Sequence, residues 1–214
     1  PGWTSTGGHI HMKADYRLLV DNLLDLTHVT YIHRNTIAGD PKEALVPVKT
    51  TREGDSIRVE RWMLGFSAPP MYNDARKFDG PVDRWQLIKW EAPSTVTLDI
   101  GCADADTGAP EGDRSQGISM WSNHIITPET EKSTHYHWAF ARNYKLGDAG
   151  VSDVLANGLG EVRRGNAPTD PADRALVESG APSERPRPPD ATSDGLAIEM
   201  TALGTDGSMA GHQD

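Results

Sequence analysis

The sequence predicts an α+β domain: helices flanking an antiparallel sheet. Three observations carry this. One long amphipathic stretch opens the chain, several strand-like alternations follow in close succession, and every Trp, Tyr and Phe lies at or before Tyr144. The 214 residues suffice for one domain with its own core. From Lys145 onward the chain is rich in Gly, Pro, Ala, Asp and Ser, with a dense run at Pro182–Pro189. Such composition buries little apolar surface. The folded domain is therefore expected at residues 1–180, followed by a loose or divergent tail at 181–214.

The elements follow in order. Across Asp15–Ile32, Leu19, Leu23 and Leu26 recur at near-helical spacing, with Val29 and Ile32 on the flank. Within Ser56–Ser67, Ile57, Val59, Arg61 and Met63 alternate with Arg58, Glu60 and Trp62, the period of a strand. Trp85–Trp90 and Thr95–Cys102 read as two more strands, broken at Pro93. Gln116–Ile126 and Ser133–Tyr144 read as a pair joined by a turn-like link, Thr127–Lys132. Short links between neighbouring strands imply antiparallel pairing. In the tail only Val151–Val162 and Pro171–Glu178 are helix-capable. No internal repeat is visible.

Charge and cysteine count narrow the function. A formal net charge of −10 argues against a nucleic-acid partner, which requires a basic face. No apolar run approaches the roughly 18 residues of a membrane span. The single cysteine, Cys102, excludes an internal disulfide and points to the cytoplasm. It also excludes a self-contained iron–sulfur cluster, because even the mixed Cys/His type takes two cysteines. The first residue is Pro1 and no leader opens the chain, so a fragment or a processed protein is expected.

The chemistry concentrates in Asp21–His33. On a continuous helix Asp21, Asp25 and His28 stand at i, i+4 and i+7 and form one polar stripe. His33 follows His28 by five residues, a rotation of about 140° on a regular helix. Both imidazoles can face one point only where the helix bulges or ends between them. Two neutral imidazoles and one carboxylate with open positions form the facial triad of non-haem Fe(II) oxygenases. Asp25 would then orient a histidine by accepting its ring N–H. The plainer alternative is a pair of hydrogen-bonded boundary histidines.

The run Asp15–His33 closely resembles the iron-site helix of the vanillate O-demethylase and dicamba monooxygenase group of Rieske non-haem iron oxygenases. Asn123-His-Ile-Ile-Thr-Pro-Glu-Thr-Glu131, then His135-Tyr136 and Ala141-Arg-Asn-Tyr144, resemble the hairpin of the same group. The matches occur in the expected order over most of residues 9–144. The resemblance implies a helix-grip (START/Bet v 1-like) fold, a curved antiparallel sheet around a long helix. It implies that His28 and His33 bind a mononuclear Fe(II), and that Asp25 links the iron to the [2Fe–2S] Rieske cluster of a neighbouring subunit. Asn22 would stand beside the iron and His124 would face the substrate.

The third iron ligand would come from Asp173-Arg-Ala-Leu-Val-Glu178, with Asp173 first and Asp170 as the alternative. Arg163–Ala172 departs from the family's pattern, with extra residues and two prolines. The resemblance fades after Glu178, as it would if the tail were partly translated out of frame. By the same resemblance the reaction is O-demethylation or hydroxylation of an aromatic acid such as a methoxybenzoate, with O2. A methoxy carbon hydroxylated in this way gives a hemiacetal that sheds formaldehyde. Electrons would come from an NAD(P)H-dependent reductase through a Rieske domain that precedes this region, in a homotrimer. The chain alone would bind iron without turning over.

Two other readings compete. One is a metal-free helix-grip domain that binds an aromatic ligand. The other is a cupin-like metal site. His9/His11 and His135/His137 each stand at i, i+2, which on a strand places a pair on one side. His124 could lie across the hairpin from His135 or His137 and complete a three-histidine cluster. Trp62, Trp85, Trp90, Trp121 and Trp138 are core candidates and Cys102 a buried small hydrophobe. Arg84, Lys89 and Arg142 are expected on a solvated strand face, where a substrate carboxylate could pair with them.

Overall fold

The computed structural model describes residues 2–32, 37–153 and 155–156, with the side chains of Tyr31 and Ile32 excepted. Seven strands form one antiparallel sheet: β1 (Thr4–Met12), β2 (Lys49–Glu53), β3 (Ser56–Phe66), β4 (Val82–Glu91), β5 (Thr95–Asp104), β6 (Gly117–Thr130) and β7 (Ser133–Arg142). Their order is β1-β7-β6-β5-β4-β3-β2. The chain meanders from β2 to β7, and β1 returns to the far edge beside β7. Three short helices, α1 (Tyr16–Leu24), α2 (His28–Ile32) and α3 (Pro70–Ala75), and a 3₁₀ turn at Pro41–Leu45 accompany the sheet.

The inner face carries the main core. In β3 the expected alternation holds: Ile57, Val59, Arg61 and Met63 are buried and the residues between them are partly exposed. Ile88, Trp90, Val96, Ile118, Met120, Ile126, Tyr136, Trp138 and Phe140 continue this layer. Helix α1 packs across it against β4 and β6, inserting Val20 and Leu24 at i, i+4. The outer face holds a second cluster, in which Trp85, Ala103 and Ala109 pack with Trp62 and Leu87. Arg114 stacks on Trp85 at 4.4 Å and pairs with Asp99 at 2.7 Å. At Gly101 a Cβ would come within 2.3 Å of the Trp85 ring, so the close approach of that indole requires glycine.

The long helix expected over Asp15–Ile32 is two helices. Asp15 caps α1 by accepting the Arg17 N–H at 2.8 Å. The helix stops at Asp25, whose backbone is extended. The Asp25 carboxylate accepts the Thr27 N–H and hydroxyl at 2.8 and 2.6 Å. Such a side-chain turn competes with the helix ladder. A break therefore precedes His28, and Asp21, Asp25 and His28 do not share one helical stripe.

The link expected at Thr127–Lys132 is mostly strand. β6 and β7 extend to Thr130 and Ser133, leaving a two-residue turn at Glu131–Lys132. Trp121 is 45 % exposed, against its expected place in the core. Arg84 and Arg142 are fully buried rather than solvated. Arg142 donates to the carbonyls of Tyr144, Lys145 and Asp148, closing the loop after β7. Asp148 then caps a helical turn at 149–153 by accepting the Val151 N–H. The remainder of that expected helix, Pro171–Glu178 and the tail at 181–214 lie outside the described residues.

Candidate metal centre between two buried arginines

His28 opens α2 immediately after the helix break and is largely buried. Its Nδ1 bonds the Asp25 carbonyl, which fixes the orientation of the ring. Burial pushes its pKa below the ordinary 6.5, nearby Asp25 opposes this, and Arg61 adds to the lowering. The imidazole is thus held neutral, the form that binds a metal. Asn22 stands on α1, one turn before the break, and is partly buried. Asp25 shapes the break itself through Thr27. His33, Asp170 and Asp173 lie outside the described residues.

Two arginines anchor this region to the sheet. Arg61, on β3, donates to the Leu26 carbonyl at 2.8 Å and to Gln86 Oε1 at 2.8 and 3.1 Å. Arg84, on β4, donates to the Ile37 carbonyl at 2.8 Å and pairs with Glu43 at 2.7 Å. Leu26 and Ile37 bracket the segment that begins with His28. Glu43 is buried on the 3₁₀ turn, and burial raises its pKa against the pull of Arg84 and then Arg61. Burial and the neighbouring Arg84 charge bring the Arg61 guanidinium down to about 10. Gly39 makes room for the carboxylate, since a Cβ there would sit 2.2 Å from Glu43 Oε1.

His124 lies on the inner face of β6 and is 3 % exposed. Its ring nitrogens pair with Ser122 Oγ at 2.8 Å and Tyr136 Oη at 2.5 Å. Its cross-strand neighbour is Trp138, whereas His135 and His137 face Thr127 and Ile125. The histidine cluster proposed around His124 does not form, because strand alternation sends His124 to the inner face and His135 and His137 to the outer one. Cys102 is buried, and burial raises its thiol pKa to about 12, as suits a small core residue. Lys89 pairs with Glu91 at 2.6 Å on the partly exposed outer side.

The model of one protein family, the C-terminal domain of the vanillate O-demethylase oxygenase, matches residues 12–200. The chain belongs to this family. It is 37% identical over 167 residues to a vanillate O-demethylase oxygenase subunit from a Pseudomonas strain, covering 76% of this chain and 50% of the relative. A putative toluene-4-sulfonate monooxygenase system iron-sulfur subunit from Comamonas testosteroni is 36% identical over 162 residues, covering 74% and 47%. The chain thus spans about half the length of the curated relatives it matches. A crystal structure of dicamba monooxygenase bound to 3,6-dichlorosalicylic acid superposes with a TM-score of 0.76 at 28% identity, covering 94% of this chain and 58% of that one. A dicamba monooxygenase structure with non-heme iron and dicamba gives 0.65 at 26% identity, covering 95% and 56%. The shared fold is mostly antiparallel sheet with few helices.

The arginine anchors escaped the sequence reading of the site. One signal was present: Arg61 falls in the apolar phase of an otherwise clean strand alternation. A cation in a buried phase requires partners, and these prove to be the backbone on either side of the His28 segment.

Proposed function

We propose that this chain is the mononuclear-iron catalytic domain of a Rieske-type oxygenase acting on a small aromatic compound, through O-demethylation or hydroxylation of a vanillate-like acid. The observation that carries the reading is His28: a part-buried imidazole with Nδ1 tied to backbone, inside the family-matched segment. Its donor chemistry fits an iron ligand. His33 and Asp173 are the proposed other ligands, with Asp170 the alternative carboxylate. A mononuclear Fe(II) bound by two histidines and a carboxylate supplies dioxygen activation.

The chain's own residues do the positioning. Arg61 and Arg84 hold Leu26 and Ile37 so that the histidine segment is presented from a fixed frame. Asp25 and Asn22 flank the candidate centre. Asp25 directs His28 Nδ1 through its carbonyl, and its carboxylate is the proposed side of electron entry. His124, held by Ser122 and Tyr136, is proposed to meet the substrate at the inner sheet face. The helix-grip arrangement, with the substrate between sheet and helix, belongs to the same proposal.

One cysteine cannot hold a Rieske cluster, so the [2Fe–2S] centre is assigned to the half of the relatives' length that this chain does not span. A reductase drawing on NAD(P)H, a homotrimer that brings one subunit's cluster to the next subunit's iron, catalytic-domain bounds of 1–180 and a cytoplasmic setting complete the proposal. Among the described residues no helix is long and apolar enough to cross a membrane.

The test is anaerobic ferrous loading. One iron per chain is expected, with loss of tight binding in His28→Ala and His33→Ala. Iron uptake unchanged by either substitution would overturn the assignment. The metal-free aromatic-binding reading predicts that outcome.

A further inference from the structure

We propose that the outer face of the β1–β7–β6 edge holds a second metal site, a zinc site formed by His11, His135 and Glu129. The residues come from three adjacent strands. His11 lies directly opposite His135 in the ladder. Glu129 lies where a register shift interrupts the β6–β7 pairing. The candidate ligand atoms lie within 4.8 Å of one another. Glu129 reaches His11 Nε2 at 2.6 Å and His135 Nε2 at 3.6 Å with its two oxygens. Two imidazoles and a carboxylate with one open position are a recurrent zinc donor set.

A second, independent feature is that His135 is already oriented. Its Nδ1 bonds His9 Nε2 at 3.0 Å, turning Nε2 toward Glu129. A hydrogen bond to the far nitrogen is the usual support of a metal-binding histidine. His9 in turn stacks on His137 at 4.5 Å. The cluster is exposed and faces away from His124 and the main core, so the proposal is independent of the iron-site reading. A bound ion would fasten the edge strand β1 to the β6–β7 hairpin.

The test is zinc titration of the full chain carrying His28→Ala and His33→Ala, followed by competition with a chromophoric chelator. One zinc per chain is expected to remain. Adding His11→Ala, His135→Ala or Glu129→Gln should weaken binding by roughly tenfold or more. His124→Ala should leave it unchanged. No saturable binding, or binding indifferent to His11 and His135, overturns the site. Anomalous scattering at the zinc edge from wild-type crystals grown with zinc gives an answer free of any variant. A peak between His11, His135 and Glu129 supports the site, and its absence there overturns it.

Discussion

At the residue scale His28 has an acid limit that can be measured without metal. Its folded-state pKa lies below 6.5, through burial first. As pH falls through the ordinary imidazole range, the unfolded chain takes up a proton that the folded chain resists. Stability attributable to this residue is therefore complete above about pH 6.5 and drains below it. Urea unfolding of metal-free protein between pH 7.5 and 5 should show wild type losing more stability than His28→Gln. Parallel pH profiles would refute the burial argument. The window also limits metal loading, since the proton and the metal compete for the same ring nitrogen.

At the element scale the Glu43–Arg84 pair is the sensitive joint between the 3₁₀ turn and β4. Removing one partner leaves the other charge buried without compensation. Glu43→Ala is expected to cost about 3–5 kcal/mol in urea unfolding. Replacing both residues with apolar ones of similar volume should recover most of that loss, although the Ile37 carbonyl then loses its donor. A cost for Glu43→Ala as small as that of an exposed ion pair would contradict the burial of the pair.

Element legibility follows the same physics. β3 was readable because Ile57, Val59 and Met63 mark the buried phase. β1 and β2 were not, because both are sheet edges: Lys49–Glu53 is wholly polar, and Thr4–Met12 is polar and glycine-containing with apolar alternation only at Ile10 and Met12. The split of the first helix was hidden because Leu26 keeps helical spacing while Asp25 bonds Thr27 instead of continuing the ladder. For the candidate site, His28 and His124 are legible in the sequence as candidates only. The supports of the His28 segment, Arg61, Arg84 and Glu43, lie apart in the chain and meet only in the folded sheet and its 3₁₀ turn.

At the scale of the whole molecule, the chain is one part of an electron-transfer system in the proposed function. With a single cysteine it has one possible thiolate ligand for a cluster. Iron-loaded protein should therefore lack the visible absorption of a [2Fe–2S] centre and contain no acid-labile sulfide. NADH-driven demethylation of a methoxybenzoate should be absent until a cluster-bearing half and a reductase are supplied. Visible spectroscopy and a formaldehyde assay check both statements. Turnover by the chain and reductase alone would show that electrons reach the iron without a Rieske partner.

The alternation along β7 limits which insertions and deletions this domain tolerates. Tyr136 and Trp138 point inward while His135 and His137 point outward, so adjacent residues have opposite duties. Adding or losing one residue within β7 exchanges the two sets: imidazoles enter the core and aromatic rings face water. A two-residue change keeps each set on its own face and only shifts partners along the hairpin. The turn at Glu131–Lys132 lies beyond the last ladder pair, so it can absorb an odd-numbered change without inverting the strand. Length variation among natural relatives should therefore concentrate at that turn, and within β7 should occur in steps of two.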